Sequence, residues 1–220
     1  NYELFNSFLK SHNISENILF SSAFAYTLSR FVGSEKVLFN IIENGRDRFH
    51  NYDSIGMFVN TLPLLVDCNN QDVKSFLEYM AGRIYGVMRY NFYPFRFLAK
   101  KYDINSNILF QFIPEWIWDD EEFNEGTINA DDNIVGNMDD LIADLTVEVV
   151  QKGTTYDLSI IYSDKYSSDF IDRFIESYKL ILHGMLDANE LCEINFVSDS
   201  DICSLDSYNC TEHDSFYADV

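Results

Sequence analysis

Leu145, Val147 and Val149 recur at every second position, and so do Leu158, Ile160 and Tyr162 beyond the Lys152-Gly153 pair. Apolar residues at period two turn one face of a strand toward a core, and two such runs around a short glycine-containing turn read as a β-hairpin. A chain that must hold an antiparallel hairpin is not a helical bundle. The rest of the apolar pattern then decides what the hairpin joins.

Much of that pattern is helical. Residues 2–11 place Leu4, Phe5, Phe8 and Leu9 on one side of a helix. Ser15 caps a second helix, Glu16 suits its first turn, and Ile18, Leu19, Ala23, Tyr26, Phe31 and Val32 follow before Gly33 stops it. Residues 71–102 repeat apolar side chains at helical spacing, broken by Pro94. A last long helix runs from Ser168 to Leu186, with Phe170, Phe174, Tyr178, Ile181 and Met185 on one face. Between these lie short apolar runs that read as buried strands: 37–42, 54–66 and 108–113, the last closed by Pro114. Pro63 lacks the N–H a ladder needs, so its strand belongs at an edge or a bulge. Interleaved helices and strands around an antiparallel hairpin give an α/β fold class. The expectation is a mixed sheet flanked by helices, in one domain of about 190 residues, with an irregular acidic tail after Asn195.

Composition narrows the functions. The chain of 220 residues is 47% hydrophobic, with 19 Phe and 14 Tyr, which is enough for a sizeable core. No apolar run reaches the roughly 18 residues of a membrane helix. The start has no basic segment followed by an apolar one. The expected setting is therefore cytoplasmic, with no membrane partner, and the opening at Asn1 reads as that of an excised fragment. A net charge of −21 repels phosphates and excludes nucleic acid as a partner.

Self-contained chemistry is absent from the pattern. There is no nucleophile elbow, P-loop or dinucleotide fingerprint. His12, His50, His183 and His213 are isolated from one another, and His183 suits the late turns of its helix as a structural residue. Cys68, Cys192, Cys203 and Cys210 form no C-x-x-C pair and read as free thiols. Cys203, Cys210 and His213 fall short of the four ligands of a structural zinc site. Asp131-x-Asn133 opens like a calcium loop but fails at Val135 and Ile142, so Asp119–Asp140 reads as a solvated acidic loop. No catalytic residue and no metal site are assigned.

One stretch stands out. Ser54–Val66, SIGMFVNTLPLLV, is mostly apolar, yet it carries Asn60 and Thr61 side by side. On a strand, Phe58, Asn60 and Leu62 share one face while Thr61 looks the other way. A buried Asn must be hydrogen-bonded. Asn60 therefore faces water, ties its strand to a neighbour, or satisfies backbone groups in a bulge near Pro63.

Gly56-Met57-Phe58-Val59-Asn60-Thr61 resembles the Gly-x-Phe-Val-Asn-Thr motif of condensation domains in nonribosomal peptide synthetases. Further likenesses follow in the family's order. Gly45-Arg46 resembles the turn before the motif, and Tyr93-Pro94-Phe95 resembles its Tyr-Pro-Phe. Asn107-Ile108-Leu109-Phe110 resembles Asn-Pro-Leu-Phe, and Tyr156-Asp157-Leu158 resembles the start of a late strand. Tyr208-Asn209-Cys210-Thr211 resembles the linker into an adenylation domain. Leu65 stands where the family often has arginine, and Phe92 and Arg96 replace the acids that flank Tyr-Pro-Phe. Epimerization relatives typically carry Gly-Trp-Phe-Thr at the motif, so Phe58–Thr61 points to condensation.

The resemblance implies one chloramphenicol-acetyltransferase-like lobe of an acyltransferase used in peptide natural product biosynthesis. The His-His-x-x-x-Asp-Gly motif of the family's first lobe is absent, so the likeness is to the C-terminal lobe, residues 1–194, with 195–220 a linker toward an adenylation domain. Alone it is not expected to be active. Implied partners are the N-terminal lobe, carrier domains and the downstream adenylation domain. No cofactor is bound directly, and substrates ride on the phosphopantetheine arms of the carriers. The resemblance also implies that Asn60, Phe58 and Thr61 border the substrate tunnel, and that a segment within 114–150 crosses to the other lobe. The alternative is a non-catalytic carrier-docking or structural module.

Overall fold

The structure is a computed structural model that describes residues 2–43, 55–56, 58–69, 71–104, 107–115 and 143–209. In chain order it contains α1 (Tyr2–His12), α2 (Glu16–Val32), β1 (Lys36–Glu43), β2 (Asn60–Asp67), α3 (Val73–Met88) and α4 (Phe95–Tyr102). Then come β3 (Ile108–Ile113), β4 (Leu145–Lys152), β5 (Thr155–Tyr162), α5 (Ser168–Asp187), a 3-10 turn (Leu191–Glu193) and α6 (Asp199–Asn209). The Gly45-Arg46 turn, His50, Met57, the acidic stretch 119–140 with its failed calcium pattern, Cys210, Thr211 and His213 lie outside the described residues.

The strands form one mixed sheet in the order β2-β1-β3-β4-β5. β1 pairs antiparallel with β2 and parallel with β3; β3 runs parallel to β4, and β4 and β5 are the expected antiparallel hairpin. Its turn holds Gly153 at φ 59°, in the left-handed region that favours glycine. β2 is an edge strand, which accommodates Pro63, and its register with β1 runs without a bulge from Asp67 to Asn60.

The core lies on one face of the sheet. Phe39 sits opposite Leu64, Ile41 opposite Phe110, and Phe110 opposite Val147, so these side chains share that face. Helix α2 covers it, with the Phe24 ring 5.0 Å from both Phe39 and Phe110. α2 also packs against α3 and α5. Every residue from Ile18 to Ser29 is buried, which is why its sequence is apolar nearly all round. Its buried hydroxyls bond back along the helix, Ser22 to the Ile18 carbonyl at 2.6 Å and Thr27 to the Ala23 carbonyl at 2.7 Å. Ser15 accepts from the Ile18 N–H, and Gly33 ends the helix at φ 66°. Val32 and Leu4, placed on apolar faces by spacing, are exposed, because each lies within a turn of a helix end where the core stops.

Two expectations are corrected. The strand expected over 54–66 runs from Asn60 to Asp67, with Asn60 opposite Glu43 of β1, and the described residues 55–56 and 58–59 lie outside the ladder. The tail expected to be irregular contains α6. Ser198 starts it: its hydroxyl accepts from the Asp201 N–H at 3.1 Å and its carbonyl accepts from Ile202 at 3.0 Å.

Candidate functional site

Pro94 cannot continue a helix, so the chain turns between α3 and α4 over residues 89–94. The turn is held partly by its own backbone, with Asn91 N–H on the Met88 carbonyl and Tyr93 N–H on the Tyr90 carbonyl. Asn60 adds to this support. Its Nδ2 donates to the carbonyl of Asn91 at 2.5 Å and to that of Tyr93 at 3.0 Å. Asn60 is the first residue of β2 and shares its face with Leu62, Leu64 and Val66, the face turned to the helices. At that end the core has run out, and a polar residue half-exposed to water takes its place. The carbonyls it satisfies are those of the α3–α4 turn, not of a bulge near Pro63.

Thr61 faces the opposite side of the sheet and stands across from Ile42. Phe58 precedes the strand. Its ring lies 3.3 Å from where a Cβ on Gly56 would be, so only glycine fits there without displacing the ring. Of the three sequence-assigned residues, the structure thus joins Asn60 to the Tyr93-Pro94-Phe95 stretch, sets Phe58 beside Gly56, and turns Thr61 away from both.

A cleft of about 620 Å³ opens beside this turn, between α3, α4 and the start of β2. Tyr90, Tyr93, Leu98 and Tyr102 line it, with the cations Arg83 and Lys101. Arg83 Nε donates to the Leu65 carbonyl at 3.0 Å, which fixes its direction. Sequence reading missed these cations. Their signal was present, since no Asp or Glu occurs from Tyr79 to Tyr102 while Arg83, Arg89, Arg96, Lys100 and Lys101 all do, in a chain of net charge −21.

Several buried polar groups elsewhere are poor nucleophiles. Burial pushes the Cys68 thiol up to about 12, and its Sγ donates to the Ala25 carbonyl. Burial, then the hydrogen bond to Glu16, raises Tyr156, and burial alone raises Tyr178. His12 is tied to the Phe8 carbonyl, and His183 is exposed on α5. Among the described residues no group of three His, Cys, Asp or Glu is placed to hold a metal ion. Nor, among them, is any helix long and apolar enough to cross a membrane.

The family model described as the condensation domain matches residues 2–201. The chain belongs to the condensation-domain family. A component of the linear gramicidin synthase of Brevibacillus parabrevis is 31% identical over 91 residues, which is 40% of this chain and 1% of that protein. Among solved structures, the four-domain nonribosomal peptide synthetase holo-AB3403, bound to AMP and glycine, superposes with a TM-score of 0.71 at 12% identity, covering 90% of this chain and 17% of that one. The first condensation domain of the CDA synthetase superposes with a TM-score of 0.65 at 12% identity, covering 90% and 46%. The condensation domain of the Monacolin K polyketide synthase MokA gives 0.68 at 15%, covering 86% and 46%. At these identities the structural likeness speaks for the fold, a mixed sheet with helices, as described above. This condensation-domain chain spans a small fraction of its curated relative and about half of each isolated domain.

Proposed function

We propose that this chain is the C-terminal lobe of an amide-forming condensation domain of a cytoplasmic nonribosomal peptide synthetase, with residues 1–194 as the lobe and 195–220 as a linker toward an adenylation domain. The observation that carries this reading is one of proportion. The family match runs from residue 2 to 201, yet the chain covers 46% of a single condensation domain, and its sequence holds no His-His pair. The missing half is the one that resemblance assigns the catalytic histidines.

In the reaction, the amine of a downstream aminoacyl thioester attacks the carbonyl of an upstream acyl or peptidyl thioester. A C–N bond forms, the C–S bond breaks, and the upstream carrier's thiol leaves, taking up the proton the amine gives up. The part of this chain is positioning. The start of β2, with Phe58, Asn60 and Thr61, borders the tunnel along which the phosphopantetheine arms enter. Asn60 and Thr61 face opposite sides of the sheet, so only one presents its side chain to an arm. We assign that role to Asn60, whose two amide hydrogens hold the α3–α4 turn and whose Oδ1 is left to accept from an arm amide.

A fusion of this chain behind an N-terminal lobe carrying His-His-x-x-x-Asp-Gly, given loaded donor and acceptor carrier domains, is expected to form the amide; the chain alone is expected to form none. Product from the chain alone would overturn the division of roles. A folded but inactive fusion would leave the docking module as the better reading.

A further inference from the structure

Two features are not accounted for by the packing of the described residues. The first is α6. It is 11 residues long and none of its residues is buried. Isolated helices shorter than about 12–15 residues are marginal in water. Ile202, Leu205 and Tyr208 are 43%, 56% and 78% exposed and fall on one arc of the helix. Asp199 and Asp206 run along one flank of that arc, and Asp201 lies within its other side.

The second is the α3–α4 cleft. Gly82 and Gly86 line it one turn apart, and a methyl group added at either would meet nothing within 4 Å. Glycine inside a helix costs stability relative to alanine, and no neighbour among the described residues requires it here. The two glycines leave an open lane along α3 in which another backbone can approach closely. Aromatic and aliphatic side chains floor the cleft, and Arg83 and Lys101 border it.

We propose that α6 of one copy seats in the α3–α4 cleft of a second copy. The apolar arc of Ile202, Leu205 and Tyr208 meets Tyr90, Tyr93 and Leu98, and the flanking aspartates meet Arg83 and Lys101. Within one copy the start of α6 and the cleft lie toward opposite ends of β2. Asp201, in the first turn of α6, lines a cavity with Arg30 and Phe31 in the last turn of α2. That turn leads into Lys36, which pairs with Asp67. The cleft is at the other end of β2, at Leu62 and Pro63, about 17 Å along the strand. The contact is therefore heterologous, linking copies head to tail, and its charged pairs weaken with salt. The inference concerns the stretch assigned above as a linker and does not depend on amide formation.

The test is sedimentation velocity on the full chain over a concentration series, at low and high salt. Concentration-dependent association is expected; salt screens the paired charges and also the repulsion between copies of net charge −21, so the charge reversals rather than the salt series decide the test. Lys101→Glu and Asp206→Lys, both at exposed positions, should each weaken it about tenfold or more. An equimolar mixture of the two variants should recover association. There the reversed charge on the helix of one variant meets the reversed charge in the cleft of the other, and the unchanged helix meets the unchanged cleft. Gly86→Leu, which fills the lane without changing charge, should also weaken it. Circular dichroism of each variant verifies the fold. A chain that stays monomeric at every concentration, or an association that both charge reversals leave unchanged, overturns the proposal and returns the cleft to some other occupant.

Discussion

The side-chain amide of Asn60 donates to the main-chain carbonyl of Asn91 at 2.5 Å, across 31 residues of sequence. A second bond, to Tyr93 at 3.0 Å, makes the contact a clamp. It fastens the first residue of the edge strand to the turn that separates α3 from α4, and so connects two stretches whose family likeness is visible only as separate motifs. Asn60→Ala should destabilise the chain by about 1 kcal/mol, at the lower end for buried polar groups because water reaches this site. Asn60→Asp should cost more, since it sets a carboxylate against two carbonyl oxygens. Urea midpoints at neutral pH check both. Equal stability of all three proteins would mean that the clamp does not hold the turn, while turnover of an assembled domain reports separately on the positioning role.

What the sequence makes legible here is what is local. Ser15 and Gly33 delimit α2 because cap chemistry depends on a few neighbouring residues. The β4–β5 hairpin follows from period two and one glycine. The onset of β2 was not legible, because an apolar run marks burial but not where a ladder opens, and the paired register opens with Asn60 opposite Glu43. α6 escaped for the opposite reason. Its three apolar residues at helical spacing, Ile202, Leu205 and Tyr208, are too few among aspartates and serines to mark a buried face, although Ser198 and Asp201 stood at capping spacing. The partners of Asn60 are the fullest case. That it needs partners is local physics, but which carbonyls supply them depends on the return of the chain after α3.

Thiol chemistry offers a sharp check on the core. Cys68 is buried against α2 and its thiol is pushed up to about 12, whereas Cys192 and Cys203 are exposed. The thiolate is the reacting species. At pH 8 an alkylating reagent should modify Cys192 and Cys203 within minutes and reach Cys68 only when the chain is unfolded. Peptide mapping by mass spectrometry reads each site. Prompt labelling of Cys68 in the native protein would contradict its packing.

Alkaline stability follows from the same burial. Cys68, Tyr26, Tyr156 and Tyr178 are all raised above their ordinary values, chiefly by desolvation. In the unfolded chain these groups lose their protons near pH 9–10. Above that range the native state binds more protons than the unfolded one, so stability falls as pH rises, and it is fully present below about pH 8.5. Tyr156→Phe removes one such group. Its neutral-pH stability should drop by about 0.5–1.5 kcal/mol through loss of the 2.6 Å bond to Glu16, and its alkaline decline should be shallower. A variant curve parallel to wild type from pH 8 to 11 would show that Tyr156 is not among the linked groups.

Two glycines on different helices should respond to alanine with opposite signs. Gly184 lies in α5 where the chain returns past it: a Cβ there would stand 2.7 Å from Ile194 Cγ2 and 3.4 Å from Ile194 Cβ. Ile194 is buried and β-branched, so it cannot swing a flexible end aside. Overpacking of this kind costs about 1–3 kcal/mol, against about 1 kcal/mol recovered from removing a helical glycine, so Gly184→Ala should be less stable than wild type. At Gly82 the added methyl meets nothing within 4 Å among the described residues, and Gly82→Ala should gain about 0.5–1 kcal/mol. Adding Ile194→Ala to the Gly184→Ala protein supplies the decisive arm. If the clash is the cause, the second substitution should cost less in that background than in wild type, a coupling that a double-mutant cycle in urea measures directly. Additive effects would mean that α5 and the 3-10 turn adjust without strain and that the close approach at Gly184 is not what selects glycine there.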